Sequence, residues 1–336
     1  MTRLERAWYR NAGWLSLLAP LETLYRWGVK RRRAQFESGQ RRTWRTPVPV
    51  VIVGNLTVGG TGKSPLVARL VRDLSAAGWR PGIVSRGYGG RGARYPLLVT
   101  SQTPVAQSGD EPLMLAQQTG VAVAVDPDRP RAAQLLLEQR GCDIVISDDG
   151  LQHYALARKL ELVVIDGKRG LGNRHCLPRG PLREPVSRLQ EVDALIGNGG
   201  FEAIDAQDGA GVPRFDMRVV PRQWRHLASG RVLPVSSPPF GEQRVEALAG
   251  IGHPQRFFDT LTALGVVHRA HAFSDHHRFV PDDLPVGEAT VVMTAKDGVK
   301  CQSWADERCW VLDVEAELDD AFDSWWRERV GDGAVP

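Results

Sequence analysis

The residues best equipped for chemistry lie in "VPVVIVGNLTVGGTGKSPLVARLV", Val48–Val71. A β-branched run leads into Gly59, Gly60 and Gly62, followed directly by Lys63 and Ser64. Glycines let backbone N–H groups close around an anion, because no Cβ stands between chain and ligand. A lysine at that position reaches β- and γ-phosphates, and the next hydroxyl can ligate Mg²⁺. The segment Thr57, Val58, Gly59, Gly60, Thr61, Gly62, Lys63, Ser64 therefore reads as a cradle for a nucleotide's phosphates. Two residues depart from the generic pattern. Thr57 stands where a first glycine is usual, and Pro65 falls in the first turn of the following helix, where a missing N–H is tolerated.

A second site should sit at the end of a neighbouring strand, and "CDIVISDDGLQH" has that form. Apolar Ile144–Ile146 runs into Asp148 and Asp149, and a carboxylate there can hold Mg²⁺ directly or through water. The metal set is read as Ser64, Asp148 and Asp149, with the direct contact open between the two acids. A solvated D-D-G turn is the plain alternative; its co-occurrence with the glycine-rich loop favours the metal. Gln152 and His153 follow within a turn and are placed at the substrate.

These residues need a scaffold that brings strand ends together. From residue 48 onward, short apolar runs alternate with amphipathic segments. Strands are predicted at Val48–Val53, Gly82–Ser85 and Val121–Val125, and again in "CDIVIS" and "LELVVID"; helices at Leu66–Ala77, Asp110–Gln118 and Arg131–Gln139. Strands apolar on both faces and separated by helices imply a parallel sheet covered on both sides, with ligands beyond the strands' carboxyl ends. The fold class is α/β: a P-loop NTPase-like sheet with a second, smaller α/β lobe and an N-terminal helical arm. The divisions are 1–46 for the arm, 47–200 for the core and 201–336 for a lobe closing over the site, joined through a Pro/Gly-rich stretch near Gly197–Pro213. The second lobe carries "VEALAGIG", "ATVVMTA" and "CWVLDV" as strands, with helices near Pro254–Leu264 and Leu318–Arg327.

Charge is unevenly distributed. Residues 1–46 hold eleven Lys/Arg against three acids, +8, whereas the other 290 residues sum to −4. Large apolar residues, among them Trp8, Trp14, Leu17, Leu21, Leu24 and Trp27, share the basic segment. Its longest uncharged run, Asn11–Leu21, is too short for a bilayer span of roughly 20 residues. Aromatic residues beside a basic cluster suit a helix lying on an anionic membrane surface; a helical arm packed on the protein's own body is the alternative. No motif for reading nucleic acid accompanies the charge, and no obligate protein partner is expected. Cys142, Cys176, Cys301 and Cys309 show neither metal-ligand nor paired spacing and read as reduced thiols.

Taken together, "GNLTVGGTGKSP", "SRGYGG", "GDEPLMLA", "DDGLQH", "LPRGPLREP" and "FSDHHRF", in this order, resemble the tetraacyldisaccharide 4'-kinase (lipid A 4'-kinase) family over essentially the whole chain. The family's own loop starts with a threonine. The resemblance implies ATP-dependent, Mg²⁺-supported phosphorylation of the 4'-hydroxyl of a lipid-linked glucosamine disaccharide 1-phosphate, at the cytoplasmic face of the inner membrane. It implies Asp110 as catalytic aspartate and His276 as its partner from the second lobe, beside Lys63; His277 next door leaves the working histidine open. It also places Tyr88, Glu111, Arg183 and Glu184 at the substrate, and Arg129 is read as a fork for the substrate's 1-phosphate. "TAKDG", Thr294–Gly298, reads as a strand entering a turn, with a grip on the base as the alternative. Two other classes compete: a nucleotide-dependent switch, which leaves the Asp110/His276 pairing idle, and a soluble small-molecule kinase, which leaves the basic arm unexplained.

Overall fold

The structure, a computed structural model, describes residues 3–92 and 94–331. The outermost ends assigned to the arm and to the second lobe, and Ala93 in the glycine-rich turn, lie outside the described residues. The chain opens on α1 (Arg3–Tyr9) and α2 (Ala19–Glu37), joined through a 3-10 segment at Gly13–Leu18. The core follows as β1 (Val50–Gly54), α3 (Lys63–Ala76), β2 (Pro81–Ser85), β3 (Leu97–Val99), α4 (Val105–Ser108), α5 (Asp110–Thr119) and β4 (Ala122–Val125). It continues through α6 (Arg129–Arg140), β5 (Ile144–Asp148), β6 (Leu160–Asp166) and β7 (Ala194–Asn198). Beyond it come β8 (Arg214–His226), β9 (Val232–Pro234), β10 (Val245–Ala249), α7 (Pro254–Ala263) and β11 (His268–Ala272). Last are β12 (Val291–Thr294), α8 (Ala295–Cys301), β13 (Cys309–Leu318) and α9 (Asp320–Val330).

The strands form one sheet in the order β11-β10-β12-β13-β8-β7-β6-β1-β5-β2-β4-β3, with β9 added on β8. Its centre is parallel, β6-β1-β5-β2-β4, and every residue of β1, β2, β5 and β6 is buried. The period of two explains how a continuous apolar run serves both faces. Val51 and Val53 join the core built on α3 with Leu66 and Leu70, whereas Val50 and Ile52 join Ala132 and Leu136 of α6 on the opposite face.

Gly197 and Asn198, the first residues of the predicted joint Gly197–Pro213, complete β7. β8 pairs parallel with β7, and β13 lies antiparallel against β8 from Met217 to His226, so the sheet runs unbroken from one half to the other. The loops after β1, β5, β7, β10 and β12 all open on the same cleft. The four cysteines are free and buried, and among the described residues no helix is long and apolar enough to cross a membrane.

Candidate active site

The glycine-rich loop is shaped by close approach. Gly62, the residue before α3, has φ 97°, and a Cβ there would come within 2.4 Å of the Asn198 Nδ2. That amide donates to the Thr61 carbonyl at 2.9 Å, so β7 holds the loop from beneath. The loop's start answers the threonine puzzle. Thr57 bridges Leu182, the Val58 N–H donates to the Pro181 carbonyl (2.9 Å), and the Arg183 N–H to that of Leu56 (2.7 Å). Thr57 sits in a short extended pairing without positive φ, a conformation that suits a β-branched residue. Pro65 is the third residue of α3, where no intrahelical partner exists for an N–H. Val58, Gly59, Gly60, Gly62, Lys63 and Ser64 line a cleft of about 1740 Å³, while Thr57 and Thr61 are buried.

The two neighbouring aspartates are in opposite states. Asp149, at φ 50°, accepts from Arg183 Nη1 with both carboxylate oxygens (2.9 Å each) and lies 3.4 Å from Lys63 Nζ. Burial opposes its ionisation, but Lys63 and Arg183 hold its carboxyl well below the usual range. Asp148, ending β5, is fully buried, and neither of its carboxylate oxygens has a hydrogen-bond partner. Burial, with the charge of Glu111 nearby, pushes its carboxyl up. A buried carboxylate without a donor is costly, and a hard cation would remove that cost. Ser64 and Asp148 fit Mg²⁺, which takes one or two protein ligands and fills the rest with phosphate oxygens and water. Among the described residues no cluster of three or more His, Cys, Asp or Glu suited to a metal occurs.

Asp110 opens α5, directly after Gly109 at φ 87°, whose Cβ would strike the Tyr88 carbonyl at 2.4 Å. His276 Nδ1 lies 3.0 Å from Asp110 Oδ2, although 166 residues separate them in sequence. Tyr88 packs its ring on His276 with centroids 5.0 Å apart. His277 instead turns to Asp283 at 3.0 Å and packs between Phe273 and Phe279. The geometry therefore selects His276 for the cleft. Its hydrogen bond with Asp110 raises the imidazole, and that bond, with Lys296 and Lys300, outweighs burial to keep the Asp110 carboxyl low.

The remaining predicted residues divide. Tyr88, Glu111, Gln152, His153, Arg183 and Glu184 line the cleft. Glu184 is nonetheless engaged by Gln152 Nε2 (3.0 Å) and by the Tyr154 hydroxyl. His153 is pushed down to about 3 by burial and the nearby arginines Arg129, Arg86 and Arg32, so it is neutral at physiological pH. Arg129 also borders the cleft, but it is buried and its Nη2 donates to the Asp148 carbonyl at 2.9 Å. Its guanidinium braces the turn at Asp148 and Asp149, whereas the sequence suggests a fork for the substrate's 1-phosphate. Sequence reasoning passed over Asn198, and it left Lys296 inside "TAKDG" without a role. That motif ends β12 and starts α8, with Thr294 accepting from the Asp297 N–H.

The arm forms one end of the same cleft through Tyr25, Val29, Arg32 and Phe36. Its inner side grips the segment that carries Arg183 and Glu184. Trp8 Nε1 donates to the Pro178 carbonyl (3.0 Å), the Tyr25 hydroxyl to that of Arg183 (3.0 Å), and buried Glu22 accepts from the Cys176 N–H (3.0 Å) and Arg179 (3.3 Å). Its outer side exposes Trp14, Leu17, Leu21, Leu24 and Trp27, with Leu17 80% exposed. The inner side fits the reading of an arm packed on the protein's own body; the membrane reading rests on the exposed apolar residues of the outer side.

A family model described as Tetraacyldisaccharide-1-P 4'-kinase matches residues 14–331. The chain belongs to this family. The tetraacyldisaccharide 4'-kinase of Azotobacter vinelandii is 50% identical over 325 residues, 96% of this chain and 95% of that one. That of Pseudomonas paraeruginosa is 49% identical over 329 residues, 98% and 97% of the two chains. A crystal structure of LpxK from Aquifex aeolicus in complex with ATP superposes with a TM-score of 0.81 at 28% identity, covering 94% of this chain and 98% of that one. Membership bears out the resemblance carried by the motifs, and the structural match bears out the α/β class with its mostly parallel sheet and N-terminal helix.

Proposed function

We infer that the chain is an ATP-dependent kinase that phosphorylates the 4'-hydroxyl of tetraacyldisaccharide 1-phosphate, giving the bis-phosphorylated lipid of lipid A biosynthesis, with Mg²⁺ as cofactor. The observation that carries the site assignment is a single cleft that gathers the phosphate loop, the partnerless Asp148 carboxylate, His276 backed by Asp110, and the arm. Backbone amides of 58–62 cradle the phosphates, and Lys63 neutralises the β- and γ-phosphates. Ser64 and Asp148 are the residues that would hold Mg²⁺; bound there, it offsets charge on the phosphate oxygens. Asp149 is the counter-ion that orders Lys63 and Arg183.

The Asp110–His276 pair serves as general base. It accepts the proton of the 4'-hydroxyl as the sugar oxygen bonds to the γ-phosphorus and the bond to the ADP oxygen breaks, help worth typically about 10²–10⁴-fold. Gln152, His153 and Tyr88 face the sugar. Arg183 is half-committed to Asp149, and the cleft's arm end receives the acyl chains. The arm lies on the anionic inner-membrane surface at its cytoplasmic face, basic residues toward headgroups and Leu17, Leu21, Leu24 and Trp27 toward the acyl boundary. Residues 47–200 and 201–336 close on the substrates and exclude water.

The test is transfer of labelled γ-phosphate from ATP to tetraacyldisaccharide 1-phosphate in mixed micelles, with Mg²⁺ present or chelated. A labelled lipid that disappears with the chelator is expected. ATP hydrolysis without labelled lipid would remove the kinase reading and leave a nucleotide switch.

A further inference from the structure

One lysine in the cleft stands among more acids than its own helix supplies. The "TAKDG" segment is rigid at its base. Asp297 is fully buried and accepts from the Gly250 N–H (3.0 Å), the Thr294 hydroxyl (2.7 Å) and Lys300 Nζ (2.8 Å), while Thr294 caps α8. This fixes the start of the helix and sends Lys296 and Lys300, four residues apart and therefore on one face, toward Asp110. Lys296 Nζ lies 3.1 Å from Glu111, 3.5 Å from Asp275 and 3.9 Å from Asp110 Oδ2, and its side chain is only 16% exposed. Lys300 Nζ is 3.7 Å from the same Asp110 oxygen. That oxygen is also the one that holds His276 Nδ1.

We propose that Lys296 positions the Asp110–His276 pair, tying α5 to the segment after β11 and sharing the Asp110 carboxylate with the imidazole. This rests on the general-base reading given above. The groups facing the pair are Glu111 on α5, Asp275 beside His276, Lys296 and Lys300 on α8, and the ring of Tyr88; His277 is turned away to Asp283, and Asp297 is engaged beneath. Without the Lys296 ammonium, the Asp110 and Asp275 carboxylates at the imidazole, with Glu111 next to Asp110, would be offset by Lys300 alone. Their combined charge would favour the imidazolium and leave the pair already protonated when the acceptor hydroxyl arrives. The ammonium of Lys296 disfavours protonation of both members, lowering His276 and Asp110 alike. Removal therefore moves the acidic limb of the rate profile upward, whichever member carries the proton.

The experiment is the pH–rate profile of lipid phosphorylation for the parent, Lys296→Met, Lys296→Arg and Asp110→Asn. Lys296→Met is expected to move the acidic limb up by about one pH unit, so that turnover below the limb falls about tenfold more than on the plateau. Lys296→Arg, which keeps the charge, is expected to leave the limb in place. Should either lysine variant be too slow to assay, an NMR titration of the His276 imidazole in the nucleotide-free protein reads the same shift. A limb and imidazole unmoved in Lys296→Met would overturn the proposal, as would an equal shift in Lys296→Arg. Asp110→Asn separates the two levels: loss of the parental limb in that variant with no shift in Lys296→Met sinks only the role of Lys296. A parental limb and plateau in Asp110→Asn sinks the general-base reading and the proposal together.

Discussion

Asp148 and Asp149 are adjacent, yet one carboxylate is saturated by cations and the other has no donor at all. The difference follows from backbone: Asp148 ends a buried strand, while Asp149, at positive φ, turns its carboxylate to Arg183 and Lys63. It yields opposite expectations for two similar substitutions. Asp148→Asn should raise the Mg²⁺ concentration needed for half-maximal activity and cut turnover by 100-fold or more, about the loss of several kcal/mol of charge stabilisation. Asp149→Asn should leave that Mg²⁺ requirement within a few-fold, because its loss unpairs Arg183 and Lys63 rather than the metal. A Mg²⁺ titration of both variants decides the assignment, and a stronger Mg²⁺ defect in Asp149→Asn would reverse it. The residues legible in the sequence were those whose partners are local, such as the loop 59–64. Asn198 and Lys296 were not, because Thr61 and Glu111, the partners that tie them to the site, lie more than a hundred residues away and nothing at their own positions signals them.

At the scale of elements, α2 belongs to the site as much as to the surface. Glu22 is buried against the turn at Cys176 and Arg179, upstream of Arg183 and Glu184. Glu22→Ala would leave the Cys176 N–H and Arg179 without that carboxylate, a loss of about 1–3 kcal/mol. Thermal melting should show it, together with faster proteolysis or hydrogen exchange across 174–184. An unchanged melting temperature would mean that the arm is only loosely docked. The strands and helices of the core were legible because parallel strands buried on both faces leave continuous β-branched runs between helical periods. The joint was less so: Gly197 looks like a loop residue, yet it sits inside β7.

For the whole molecule, basic charge and apolar exposure coincide in the arm. The arm carries +8 in its first 46 residues and exposes Leu17, Leu24 and Trp27. Leu17→Asp with Leu24→Asp should weaken binding to anionic vesicles at least about tenfold, since each buried leucine contributes roughly 1.5–3 kcal/mol. Turnover on a dispersed, short-chain acceptor should stay near the parent value, and equal losses in both assays would point to a folding defect instead. The membership of the molecule in its class was visible from motif order, but the unbroken sheet was not. The antiparallel pairing of β8 with β13 joins segments about ninety residues apart, and period-two patterning does not choose partners.

In the proposed mechanism His276, oriented by Asp110, activates the acceptor over a phosphate loop that binds nucleotide independently of it. Its most direct test measures Asp110→Ala twice, once for single-turnover phosphate transfer to tetraacyldisaccharide 1-phosphate and once for ATP affinity at saturating Mg²⁺. Transfer is expected to fall by about 10²–10⁴-fold with ATP affinity within a few-fold of the parent, whereas Lys63→Ala should damage both. Transfer retained in Asp110→Ala, or lost only in step with ATP binding, would contradict the account.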